Sequence, residues 1–215
     1  MKSLASQSKK EYKSWSLKEQ LAFWINAYNG LTLKLIINHY PIQSSFFKSL
    51  AYPKNSIRQI SGAWDSITHD VMGEKLTLDT IEHKILRKYF HEPRIHMALV
   101  CAAMGCPPLR NEPYLPSKLD SQLDDQTKKF LSNNKKFKID RKEKIVYLSA
   151  IFSWFGKDFV EKYGTKTKFK DHSEPERAVL NFISSYLSKD DKEFLEKEKY
   201  SISYFKYDWS LNEQK

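Results

Sequence analysis

Cys106 has the most direct route to covalent chemistry. It stands in Gly105-Cys106-Pro107-Pro108, where proline pushes the residue before it into extended backbone and stiffens the loop beyond. A thiol held in that way is a useful nucleophile only if a base can take its proton and a third group orients the base. Two histidines qualify by position. His83 has Asp79 one helical turn earlier on the same face, well placed to hold the imidazole. Glu82 is the adjacent acid, directed about 100° away around an α-helix. His96 lies in the apolar run that delivers Cys101, and strand parity puts it on the face opposite Cys101. Pro107 and Pro108 have no N–H to offer an oxyanion, so the Cys106 N–H and a side-chain amide from Asn26, Asn29 or Asn111 would have to serve. This set describes a cysteine-dependent hydrolase or acyl transferase acting on a peptide or amide bond. Cys106 is its nucleophile, His83 its base with His96 in reserve, Glu82 or Asp79 the orienter, and Asn26 an oxyanion donor.

The same residues also admit plainer roles. Cys101 fits a buried strand as a small apolar side chain. Asn26 and Asn29 interrupt an apolar helix, and a buried amide left without partners costs about 1–3 kcal/mol; clamping loop carbonyls would satisfy both. His83 sits beside Lys84 and Arg87 and reads equally as a solvated helix-face histidine. Arg94 and Arg110 flank the cysteine segment and can grip a carboxylate or phosphate, or tie the loop down. The alternative function is therefore a non-catalytic protein- or ligand-binding module. A third is a redox role for Cys101 and Cys106, which lie five positions apart across a turn, near enough for a disulfide if their side chains converge but without CxxC spacing.

Several chemistries are disfavoured. No glycine-rich phosphate loop follows a strand, and the chain has 6 glycines. No HExxH or paired CxxC occurs, and the spacing of His69, His83, His96, Cys101 and Cys106 matches no closed metal site. No metal and no cofactor are expected.

The elements that must position these residues begin with Ser16–Tyr40. Ser16 and Glu19 make a capping box, and Pro41 stops the helix. Between them Phe23, Trp24, Ile25, Ala27, Tyr28, Leu31, Leu33, Leu35 and Ile36 are apolar on nearly every side, the pattern of an enclosed helix. Asp70–Leu78 predicts a hairpin turning at Gly73. A second helix comes next, with Ile81, Ile85, Leu86 and Tyr89 as its buried stripe. Arg94–Ala103 reads as a buried strand, leading to a loop with four prolines over 104–116. Further elements are a helix from Ser117 to Leu131, a hairpin pairing 137–140 with 145–149, and an aromatic helix from Ala150 to Tyr163. Ser173 and Glu176 cap the next helix, a charged helix covers 190–197, and a last strand covers 201–207. The fold class is α+β: a helix-rich single domain around a long buried N-terminal helix and a small, mostly antiparallel sheet. Its expected boundaries are an extension at 1–15, one globular domain over 16–212 and a tail at 213–215.

The net charge of +10 is spread among interleaved acids, as in 189–199, and reads as a solvated surface; no nucleic-acid partner is expected. Leu21–Ile37 is too short and too polar for a membrane span. The first residues lack an apolar export segment. The chain as written reads as soluble and cytoplasmic, or extracytoplasmic if an upstream export signal precedes it. The partner class is an unidentified peptide or small molecule.

At these residues the chain resembles the family of domain of unknown function 547. The segments that carry the resemblance are Phe23–Ile36, Leu76–Arg87, Arg94–Tyr114, Leu119–Leu131 and Leu148–Phe159, with Tyr204–Asn212 similar to the end of bacterial members. The resemblance implies a soluble domain, often behind an export signal in bacteria. Relatives join it to leucine-zipper, DEP or glutaredoxin regions. It places signature positions at Asn26, Tyr28, Asn29, Glu82, His83, Arg94, His96, Cys101 and Cys106. Such a set is compatible with papain-like or transglutaminase-like thiol chemistry.

Overall fold

The computed structural model describes residues 2–213, so Met1 of the extension and the expected tail beyond 213 lie outside the described residues. The chain forms two compact units, Met1–Leu123 with Asp208–Lys215, and Asp124–Tyr207. The fold is α+β, with short strands among many helices.

In the first unit, α1 (Lys2–Ser6) and α2 (Lys9–Ser14) precede α3 (Leu17–Asn38). Both halves of the Ser16–Glu19 capping box are present. Along α3, Leu21, Trp24, Ile25, Tyr28, Leu31 and Leu35 are buried in one core with Ile57, Leu78, Ile81 and Leu86. The enclosure expected of this helix fails at its C-terminal end, where Leu33 and Ile37 are exposed. The short α4 (Phe46–Ser49) is next, then a 3-10 turn at Ile57–Gln59.

The hairpin forms as expected from β1 (His69–Val71) and β2 (Glu74–Leu76), antiparallel with Val71 opposite Glu74. Met72 and Gly73 both have positive φ, 51° and 73°. That is the two-residue turn whose twist matches the strands, and it explains the glycine. The helix after it is wound differently from expectation. Thr80–Leu86 is a π-helix, with α-helical residues before it at 78–79 and after it at Arg87–Tyr89 (α5). Ile81 and Leu86 are both fully buried, and their five-residue separation matches an i→i+5 turn. Tyr89, expected in the buried stripe, is exposed.

The strand expected at 94–103 is not formed. Pro93–Met97 is a 3-10 helix, opened by Pro93 at its first position and capped by Glu92. Ala98, Leu99 and Val100 after it are buried without a strand neighbour. Asn29 replaces that neighbour: its side-chain amide donates to Ala98 O at 3.0 Å and accepts the Val100 N–H at 2.9 Å. An apolar run reports burial but not which backbone groups will meet it. The strand parity assigned to His96 and Cys101 therefore falls with the strand.

A 3-10 turn at Pro116–Lys118 leads into α6 (Leu119–Leu131), within which the division between units falls. The second unit holds a three-stranded sheet of order β3 (Phe137–Asp140), β4 (Ile145–Leu148), β5 (Ser201–Tyr204), antiparallel then parallel. The aromatic helix expected over 150–163 is split into α7 (Ala150–Phe155), a 3-10 turn at Gly156–Phe159 and α8 (Val160–Tyr163). A Cβ at Gly156 would lie 3.2 Å from Pro175, a close approach that glycine permits. Phe130, Phe152, Phe159 and Phe182 fill this unit's core. α9 (Glu174–Ser184) keeps its capping box, and α10 is Lys189–Lys197.

Candidate functional site

The cysteine loop runs from Cys101 to Cys106 and turns back on itself. Ala102 has φ 54°, a left-handed conformation that costs a residue with a Cβ and persists where surrounding bonds enforce it. Those bonds come from the chain's end. Met104 N donates to Ser210 O at 2.8 Å, Gly105 N to Asp208 O at 2.9 Å, and Asn212 N to Ala102 O at 3.2 Å, with Ala103 bridged to Leu211. Cys106 is 3% exposed and Cys101 half-buried; both are present as thiols. The Cys101 N–H donates to the Cys106 sulfur, N to Sγ 2.6 Å, and the Cys106 thiol in turn donates to Leu99 O at 3.9 Å. The Cys106 N–H is given to Ala103 O at 3.0 Å. The local oxyanion donor expected of the loop is therefore committed within it.

Tyr28 joins this cluster from α3. Its hydroxyl donates to Glu82 Oε2 at 2.8 Å. Burial, then the Glu82 carboxylate, then the charges of Cys101 and Cys106 hold the phenol well above its usual range. Tyr28 thus remains a proton donor at any physiological pH. Glu82, expected beside His83, faces Tyr28 from the π-helix instead.

His83 has Asp79 Oδ1 3.7 Å from Nε2, as the helical spacing anticipates, and Arg87 NH1 3.0 Å from Nδ1. Guanidinium nitrogens only donate, so Nδ1 accepts and a neutral ring carries its proton on Nε2, towards Asp79. His96 is buried at the end of the 3-10 helix. Asn26 donates to Tyr114 O at 2.8 Å and accepts the Tyr114 N–H at 2.9 Å. Asn29 and Asn26 of α3 thus both hold backbone: Asn29 the run before the cysteines, Asn26 the proline loop after them. Asn111 is exposed.

The two arginines are anchored as well. Arg94 makes paired bonds to Glu92, both at 2.8 Å, and reaches Asp120 at 2.9 Å. Arg110 pairs with Glu112 at 2.7 Å. Sequence reasoning missed Gln122, whose amide takes the Leu115 N–H and donates to Pro113 O. Its signal was available: Gln122 falls between Leu119 and Leu123 on the buried stripe of α6, where a polar residue must have partners. The pairing of the chain's end with the cysteine loop left no comparable signal.

Among the described residues no group of three or more His, Cys, Asp or Glu is arranged to hold a metal ion, and no helix is long and apolar enough to cross a membrane. No curated protein and no solved structure matches the chain. A family model described as a protein of unknown function, DUF547, matches residues 12–131. That span contains every residue of the cluster, though not Leu148–Phe159 or Tyr204–Asn212. It covers more than half of the sequence, and the chain belongs to the DUF547 family.

Proposed function

We propose that the chain is a cysteine-dependent hydrolase or acyl transferase acting on a peptide or amide bond, with Cys106 as the nucleophile. The observation that supports this reading is the Cys101 N–H directed at the Cys106 sulfur at 2.6 Å. A donor aimed at sulfur favours the thiolate over the thiol, and the thiolate is the attacking form. In the reaction the sulfur adds to the carbonyl carbon, and the C–N bond breaks as the departing amine takes a proton from the base. Water or an acceptor amine then releases the acyl group from sulfur. Tyr28 is held protonated by burial and by its bond to Glu82, and its single O–H serves the oxyanion, in place of Asn26, once Glu82 releases it. His83, backed by Asp79, takes the thiol proton once Nδ1 is released by Arg87; His96 is the other histidine of this unit suited to that role.

A second reading, a binding module without catalysis, is favoured by a different observation: Asn26, Asn29 and the Cys106 N–H all bond to the protein's own backbone. Two measurements separate the readings. Iodoacetamide should alkylate Cys106 with a pH midpoint below the ordinary thiol value of about 8.5. Either His83→Ala or His96→Ala should move that midpoint up, identifying the base. p-Nitrophenyl acetate should leave an acetyl group on Cys106 and none on the Cys106→Ser chain. A Cys106 that resists both reagents until the protein unfolds would leave the binding module as the better account.

A further inference from the structure

The turn after α3 displays the three most exposed large hydrophobic side chains among the described residues: Phe46 at 76%, Phe47 at 80% and Leu50 at 77%. The display is built from inside. Gln59, 5% exposed, accepts the Ser45 N–H at 3.0 Å and donates to Pro53 O at 3.0 Å. Lys48 turns inward, with Nζ 2.8 Å from Ser61 Oγ and 3.2 Å from Gln59 O. The polar atoms of α4 are thus tied to the body of the unit, while the two phenyl rings pack edge to face at 5.6 Å on the outside. Exposed apolar patches of this kind mark interaction sites rather than contributing to folding.

Charge indicates what the patch meets. No Asp or Glu occurs between Glu19 and Asp65, whereas Lys34, Lys48, Lys54 and Arg58 do. The carboxylate that reaches this region is Glu213, which accepts from Tyr40 and Asn55. A second copy would bring the same positive charge to the contact and be repelled. We propose that the Phe46-Phe47-Leu50 tip docks on a bilayer containing acidic phospholipid. The rings enter the boundary between headgroups and acyl chains, and the exposed Lys54 meets headgroup phosphate. This reading is independent of the thiol chemistry.

The test is co-sedimentation of the full chain with vesicles of phosphatidylcholine alone and of phosphatidylcholine with phosphatidylserine. The chain should pellet with the acidic vesicles, less so as salt is raised. The exposed double variant Phe46→Ala/Phe47→Ala should keep its circular dichroism and lose at least about tenfold in partitioning. Lys54→Glu should weaken binding to acidic vesicles. Equal sedimentation of parent and double variant, or no preference for acidic vesicles, overturns the proposal. So does a concentration-dependent dimer that the double variant abolishes, which would assign the tip to a second copy.

Discussion

Replacing Asn29 by alanine removes the two bonds that stand in for a missing strand, and the cost can be worked from their surroundings. Asn29 is buried, and so are Ala98 and Val100. The substitution leaves one carbonyl and one N–H without their side-chain partner in a place water reaches poorly. Each such group costs about 1–3 kcal/mol, so the sum is about 2–6 kcal/mol, a large part of the total for a domain whose net stability is about 5–15 kcal/mol. Asn26→Ala severs an analogous pair of bonds to Tyr114, but Asn26 itself is half-buried. Water can replace its amide there, and about 1 kcal/mol is expected. Urea titration followed by tryptophan fluorescence gives the order of the two variants. Hydrogen exchange over 95–106 gives the location, because 2 kcal/mol of lost protection speeds exchange about 30-fold. A cost under about 0.5 kcal/mol for Asn29→Ala, with exchange in 95–106 unchanged, would refute the idea that this amide holds the segment in place.

Tyr28→Phe should cost about 1.5–3 kcal/mol, the worth of a hydrogen bond to a charged group, read as a lower urea midpoint near neutral pH. The raised phenol also has a pH signature. Its folded value lies above the ordinary 10.0, so its contribution is complete below pH 10 and is lost as pH rises above that towards the folded value; stability measured from pH 8 to 11 should fall less steeply in Tyr28→Phe. Arg94→Ala removes the paired bonds to Glu92, whose side chain is 10% exposed, and should cost about 3 kcal/mol in a urea titration. Asp120, whose carboxyl is held below its usual range by Lys18 and then Arg94, should titrate closer to the ordinary value in that variant, as followed by carboxyl NMR shifts. Ser16→Ala removes the cap of α3 and should lower stability by about 1 kcal/mol, or about 2–4 °C in melting temperature.

What was legible in the sequence was local. The capping boxes at Ser16 and Ser173, the turn at Gly73, and the strands at 137 and 145 each depend on a few neighbouring residues whose preferences agree. The burial of α3 over 21–32 was legible too, because apolar side chains crowd that stretch, whereas the exposure of Leu33 and Ile37 was not. The pairing of Asp79 with His83 belongs to the same class, since side chains four apart on a helix meet whatever the tertiary structure does.

Tertiary structure decided the remainder of the site, since each of those choices depends on partners distant in the chain. Asn29 meets Ala98 and Val100 across some seventy residues, and its two bonds let 98–100 be buried without a sheet. The π-helix turns Glu82 towards Tyr28, because Ile81 and Leu86 share one core. The end of the chain, from Asp208 to Asn212, bonds to the cysteine loop and holds Ala102 in a conformation its side chain disfavours. Composition and spacing name the reactive groups; only the long-range hydrogen bonds, which leave no periodicity behind them, say which of those groups face one another.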